Sequence, residues 1–189
     1  MIMISNPKKN TNLKRVINSF RGDSMIIFNS FLCCILIGLF VFLITDRKDK
    51  YHFVSWENTI KQSKPNNCGP TALLMIFTFY GIKSNINDIE KGVNLNKKGT
   101  SMYDIKLYAQ KKGLFANGIQ TNINNLNNYP FPLLAYINNS HFVIVDSLGL
   151  DKVYLRDPIQ GKIVSSFSYF TKKWDGSILH FSLKNNSII

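Results

Sequence analysis

A glutamine at 62, a cysteine at 68, a histidine at 141 and an aspartate at 157 are the residues of this chain whose types and order could do chemistry. Cys68 is followed by Gly69 and Pro70 and then by an apolar run, so it stands where a helix begins. A free thiol near pKa ~8.5 is mostly protonated at neutral pH. The unpaired N–H groups and dipole of a helix N-terminus favour its anion, and an imidazolium partner favours it further. His141 opens an apolar strand pattern, Asp157 ends the next one, and residues 148–151 read as the turn between them. In a hairpin closed there, paired positions sum to about 299, which brings His141 and Asp157 opposite or nearly so. Gln62 lies in the loop entering the cysteine helix, where a side-chain amide can reach an oxyanion. Together the four make a complete acyl-transfer site. Cys68 is the nucleophile and His141 the base and acid. Asp157 orients the imidazole, while Gln62 and the Cys68 amide hold the oxyanion.

Each residue alone has a blander explanation. A cysteine is usually a small buried hydrophobe, a histidine at a strand edge is usually solvated, and Asp-Pro often just ends a strand. The combination, in register and in order, is what makes the case for a site.

The elements needed to position these groups are readable. Residues 71–80 are apolar on nearly every side and Gly81 follows as a C-terminal cap, which describes a central buried helix. Ser101 and Asp104 match a capping box opening an amphipathic helix through Lys112, closed by Gly113. A short helix over 87–92 precedes it. From Pro130 onward the pattern turns to strands: PLLAYI, HFVIVDSL, KVYLRDP, GKIVSSF and SILHFSL. Helices first and an antiparallel sheet after them indicate an α+β domain.

Before that domain, residues 25–45 form 21 residues without a charge. At 1.5 Å per residue they span roughly 30 Å, the thickness of a bilayer's hydrocarbon core. The expected organisation is a basic tail (1–24), a transmembrane helix (25–45), a juxtamembrane linker (46–53), the domain (54–183) and a short C-terminal tail (184–189). Five Lys/Arg precede the apolar segment and three follow it closely, favouring a cytoplasmic N-terminus and an extracytoplasmic domain on a single-pass protein of the cell membrane. Cys33 and Cys34 lie inside the segment as apolar fillers or acylation sites.

The net charge of +12 fits an anionic bilayer surface, with no Arg-rich helix or aromatic-interleaved motif to favour nucleic acid. Cys68 is the single thiol of the domain, so neither a disulfide framework nor a multi-cysteine metal site is expected there. His52, His141 and His180 have no metal-ligand spacing, and no phosphate-binding loop occurs; no cofactor is expected.

From about Val54 to Leu183 the chain resembles the bacteriocin-processing cysteine peptidases, family thirty-nine of that class, which are papain-like. The resemblance rests on Gln62 with Cys68-Gly-Pro six residues on, Gly99-Thr-Ser, the helix end at Lys112-Gly113, Pro132-Leu-Leu, His141-Phe-Val-Ile-Val, Asp157-Pro-x-x-Gly161 and Trp174. It implies Cys68, His141 and Asp157 as the triad and Gln62 as the oxyanion residue. It also implies a peptide substrate cut after a Gly-Gly pair and a partner export transporter. Asn67 departs from the acid that many members carry before the cysteine, and a membrane helix stands where they carry a transporter. Two other readings stay open: a non-catalytic peptide-binding module of an export system, and a thiol acyltransferase.

Overall fold

The computed structural model describes residues 32–39, 52–55 and 57–183. Two units are separable, residues 1–48 and 49–189. In the first, residues 32–39 are helical with exposed side chains. They are the described part of the expected 25–45 span; the rest of it, with the basic tail, residues 46–51 and the C-terminal tail, lies outside the described residues. No helix among the described residues is long and apolar enough to cross a membrane.

Among the described residues of the second unit seven strands form one antiparallel sheet: β1 (His52–Ser55), β2 (Leu114–Gln120), β3 (Leu133–Ile137), β4 (His141–Leu148), β5 (Lys152–Asp157), β6 (Gly161–Ser166) and β7 (Trp174–Leu183). Their spatial order is β1-β6-β5-β4-β3-β7-β2. Among the described residues four helices accompany it: α1 (Cys68–Phe79), α2 (Ile86–Gly92), α3 (Met102–Lys111) and the short α4 (Phe167–Thr171), plus a 3₁₀ turn at Ile123–Asn128. The α+β expectation is met.

Two apolar layers explain why the strands read as continuous hydrophobic runs. One layer holds Leu73, Ile76 and Phe77 of α1, Ile89 and Ile105 of α2 and α3, and Leu134, Phe142, Ile144, Leu179 and Phe181 of the sheet. The other holds Leu133, Ala135, Val143, Val145, Val153 and Ile178 with Phe170 and Trp174. Successive residues of β3 and β4 therefore point into different cores, and both need apolar side chains.

The helix signals act as read. The α1 helix starts at Cys68 and ends in a Schellman motif: Gly81 takes φ +71°, Gly81 N–H donates to the Thr78 carbonyl and Ile82 N–H to the Phe77 carbonyl. Ser101 Oγ accepts from Asp104 N–H at 3.0 Å and caps α3. Sequence patterning missed β2, α4 and β1. The last pairs with β6 and puts sheet structure inside the stretch expected to be linker.

Candidate active site

Three of the four candidates, Cys68, His141 and Asp157, come together where β4 begins and β5 ends. Cys68, first residue of α1, is buried with 8% of its surface exposed. His141, first residue of β4, places Nε2 2.9 Å from Asp157 Oδ1. The Cys68 thiol is the imidazole's other neighbour, near enough that each side chain shifts the other's pKa. Cys68, His141 and Asp157 thus form one connected chain of polar contacts.

Electrostatics follow from these contacts. Burial pushes the Cys68 thiol up, but hydrogen bonds from His141 and from the Phe142 and Gly69 amides, with the imidazolium charge, outweigh it and bring the pKa below its ordinary value. Burial likewise works against the His141 cation. Asp157 and the Cys68 sulfur overcome it and raise the imidazole pKa to about 9. Both shifts favour the thiolate–imidazolium form of the pair over the neutral one.

Asp157 is fully buried and its carboxylate is well supplied with donors. Besides His141 it accepts from Ile159 N–H at 2.6 Å and Gln160 N–H at 3.3 Å, and from the Gln160 side chain at 3.3 Å. These donors come from the tight loop between β5 and β6, which closes where Asp157 pairs with Gly161 at φ +84°. The Pro158 carbonyl in that loop accepts from Gln62 N–H at 2.9 Å, so the glutamine backbone is tied directly to the aspartate's turn. Gln62 Nε2 donates to the Lys64 carbonyl at 2.8 Å. A carboxamide nitrogen carries two hydrogens, so one remains to donate elsewhere.

A small crevice of about 50 Å³ borders His141 and Asp157, walled by Ile137, Leu155, Gln160 and Tyr169. A larger hollow of about 500 Å³ lies by the far end of α1, between Met75, Phe79 and Arg156, and touches none of the four candidates.

The peptidase C39 family model matches residues 56–186, a stretch containing all four candidates. The chain belongs to the peptidase C39 family. It is a cysteine peptidase by that membership. An uncharacterized protein of Methanothermobacter marburgensis is 28% identical over 131 residues, covering 69% of this chain and 92% of its own length. The lactococcin-G-processing and transport ATP-binding protein LagD of Lactococcus lactis is 29% identical over 126 residues, 64% of this chain but 18% of its own. Among solved structures, a double-glycine-motif protease from an AMS/PCAT transporter, crystallised with its leader peptide, superposes with a TM-score of 0.65 at 21% identity. The match covers 72% of this chain and 94% of that one. The peptidase domain of Streptococcus ComA gives 0.63 at 20% identity, covering 66% and 97%. At these identities the two structures establish the shared fold.

Other contributors at the site have no motif of their own. Asn67, immediately before Cys68, is completely buried. Its side chain does not cap α1; it bonds to Lys64 N–H, Ser63 Oγ and Glu90 instead. In sequence it sits among Lys, Pro and Asn and reads as loop. Gln160 is equally silent until the turn folds it back onto Asp157.

Proposed function

We propose that this C39 peptidase is anchored by residues 25–45 and cleaves the leader of an exported peptide with Cys68, His141, Asp157 and Gln62. The observation that carries the chemistry is the continuous contact chain from the Cys68 sulfur through His141 to a buried Asp157. The thiolate attacks the carbonyl carbon of the scissile bond. The resulting oxyanion takes hydrogen bonds from the Cys68 backbone N–H, free at a helix start, and from the second N–H of Gln62. Collapse expels the amine, which takes its proton from the His141 imidazolium, leaving a thioester on Cys68. Neutral His141 then accepts a proton from water, the hydroxyl adds to the thioester, and the thiolate departs as the carboxylic acid is released. Asp157 holds the ring in one orientation throughout.

The substrate reading is supported by what the relatives are named for: processing and transport of lactococcin G, and a double-glycine protease bound to a leader peptide. The anchor reading rests on the 21 uncharged residues flanked by Lys and Arg. A separate transporter would be the natural partner for a peptidase held at the bilayer.

The deciding experiment incubates the full-length chain, in detergent, with synthetic precursor peptides carrying Gly-Gly, Gly-Ala or no small-residue pair, followed by mass spectrometry. Cutting after Gly-Gly in wild type and none in Cys68→Ala is the expected result. Equal cutting of all three peptides overturns the leader-peptidase reading. For the anchor, alkaline carbonate extraction of cell membranes should leave the chain in the pellet; release to the supernatant overturns it.

A further inference from the structure

We propose that Asn67, Glu90 and Lys64 are positioning residues that set the plane of the Gln62 amide, so that an ion pair between α2 and the loop before α1 orients the oxyanion donor. The proposal rests on the peptidase reading of the site and adds residues that the reading does not use.

The chain of contacts starts at Glu90. An ionised carboxylate only accepts hydrogen bonds. Glu90 Oε1 takes the Asn67 Nδ2 hydrogen at 2.8 Å, and its Oε2 pairs with the Lys64 ammonium. That demand fixes which end of the Asn67 amide faces which neighbour: the NH₂ faces Glu90 and Ser63 Oγ, and Oδ1 faces the loop. Oδ1 accepts from the Lys64 backbone N–H at 3.1 Å. The same residue's carbonyl accepts from Gln62 Nε2 at 2.8 Å. Lys64 is therefore gripped at its N–H by Asn67, at its ammonium by Glu90, and holds Gln62 with its C=O.

Two further observations favour orientation over mere loop anchoring. Asn67 has no exposed surface, and all its polar atoms are matched, with two hydrogens donated and the oxygen accepting. Such a group cannot rotate without leaving a buried polar atom unpaired. Gln62, in contrast, has a buried Oε1 with no partner, so the Lys64 carbonyl is the polar contact that determines how its amide is turned. The Glu90 carboxyl is held below its ordinary range, first by the Lys64 hydrogen bond, with burial opposing and Asn67 adding to the effect. It is ionised at neutral pH and able to impose the orientation.

An exchange of groups tests this. Asn67→Asp sets a second carboxylate about 2.8 Å from Glu90 Oε1, where two anions cannot coexist without a shared proton. In the full-length chain this variant should lower kcat on a Gly-Gly precursor by roughly ten- to a hundredfold, the scale of a misplaced catalytic group. KM and the rate of Cys68 alkylation by iodoacetamide should stay the same, because alkylation creates no oxyanion. The kcat ratio of variant to wild type should recover as pH falls from about 8 to about 5 and the carboxyl pair takes up its proton. Asn67→Asp combined with Glu90→Gln restores one amide and one acid, and should return kcat to within about threefold of wild type. If Asn67→Asp fails to fold, Glu90→Ala removes the acceptor from the short helix α2 without adding a charge and should show the same kcat loss with alkylation intact.

Unchanged kcat in Asn67→Asp overturns the proposal, as does a folded double variant that stays as slow as the single one. Unchanged kcat in Glu90→Ala does so too. A wild-type chain that alkylates quickly yet cuts no peptide overturns the peptidase reading and this role with it. A cutting wild type with unaffected variants overturns the positioning alone.

Discussion

His141 and Asp157 meet on a diagonal of the β4–β5 pair, not directly across it. The register pairs Ile144 with Arg156 and Val145 with Leu155, then shifts between Val145 and Ser147. Continued outward, that register sets Asp157 opposite Val143, two residues from His141 and on the same face. The 2.9 Å contact is thus a same-face diagonal neighbour relationship. Because Asp157 is buried and shares its charge with three further donors, its removal has consequences on both sides. Asp157→Asn should slow peptide cleavage by roughly a hundredfold, the scale of lost general acid–base function. Cys68 alkylation at neutral pH should fall as well, since the imidazolium that stabilises the thiolate loses its counter-charge. Cleavage at the wild-type rate in this variant would show that Asp157 is a turn residue only.

The opposed shifts at the dyad set the pH dependence. Cys68 loses its proton below the ordinary thiol pKa, and His141 keeps its proton to about 9. Between those limits the ion pair exists. Alkylation of Cys68 should rise with pH through a thiol pKa lower than that of a free cysteine and level off above it. Peptide cleavage should rise on the same limb and decline above about 9, where His141 can no longer protonate the departing amine. In His141→Ala the sulfur keeps its burial and loses its main hydrogen bond, so alkylation should climb only in the alkaline range. Mass spectrometric readout of the Cys68 peptide separates it from Cys33 and Cys34. An alkylation profile that His141→Ala leaves unmoved would dismiss the ion pair.

Much of this site was legible because its parts are punctuated. Pro70 and Gly81 bracket α1, Ser101 and Gly113 bracket α3, and the Asp157–Gly161 turn announces itself by its proline and glycine. Hairpin arithmetic missed the register by two residues at the turn, where Leu148 pairs with Val153, and the shift after Val145 brings it within one residue beside the site. Strand β2 escaped because Phe115, Asn117 and Ile119 alternate with small or polar residues, which mimics neither a buried strand nor a clean amphipathic one. Short β1 lies at the edge of the sheet, with Phe53 and Val54 both exposed, so no burial pattern marks it. Asn67 was noticed as a departure, but its full burial is a tertiary fact: Glu90 that receives it is 23 residues away.

Gly92 supplies a prediction remote from the chemistry. A Cβ there would come 1.9 Å from the Tyr108 ring, which packs against Phe77 in the helical core with centroids 6.2 Å apart. The ring is nearly buried and has no open side to retreat to without exposing core. Gly92→Ala should therefore destabilise the domain by about 1–3 kcal/mol, the usual cost of overpacking. The check is a urea midpoint that moves down while the slope stays constant. Below that midpoint, kcat and Cys68 alkylation should match wild type, since no catalytic group shares the contact. A midpoint equal to wild type would mean that α2 and α3 can separate freely at this crossing.

Gln62 separates the thiolate from the rest of the reaction. Its backbone is bound to the Pro158 carbonyl and its amide to the Lys64 carbonyl, so Gln62→Ala preserves the backbone tie and deletes only the side-chain donor. Attack on iodoacetamide displaces iodide without forming an oxyanion, whereas attack on a peptide carbonyl forms one. Loss of a single preorganised donor costs about 10²–10³ in kcat. Gln62→Ala should thus cut the precursor at roughly that deficit, with KM near wild type and Cys68 alkylation undiminished at every pH. A Gln62→Ala chain that alkylates slowly would assign the residue to the thiolate's environment. One that cuts peptide at full speed would leave the Cys68 backbone N–H to hold the oxyanion without it.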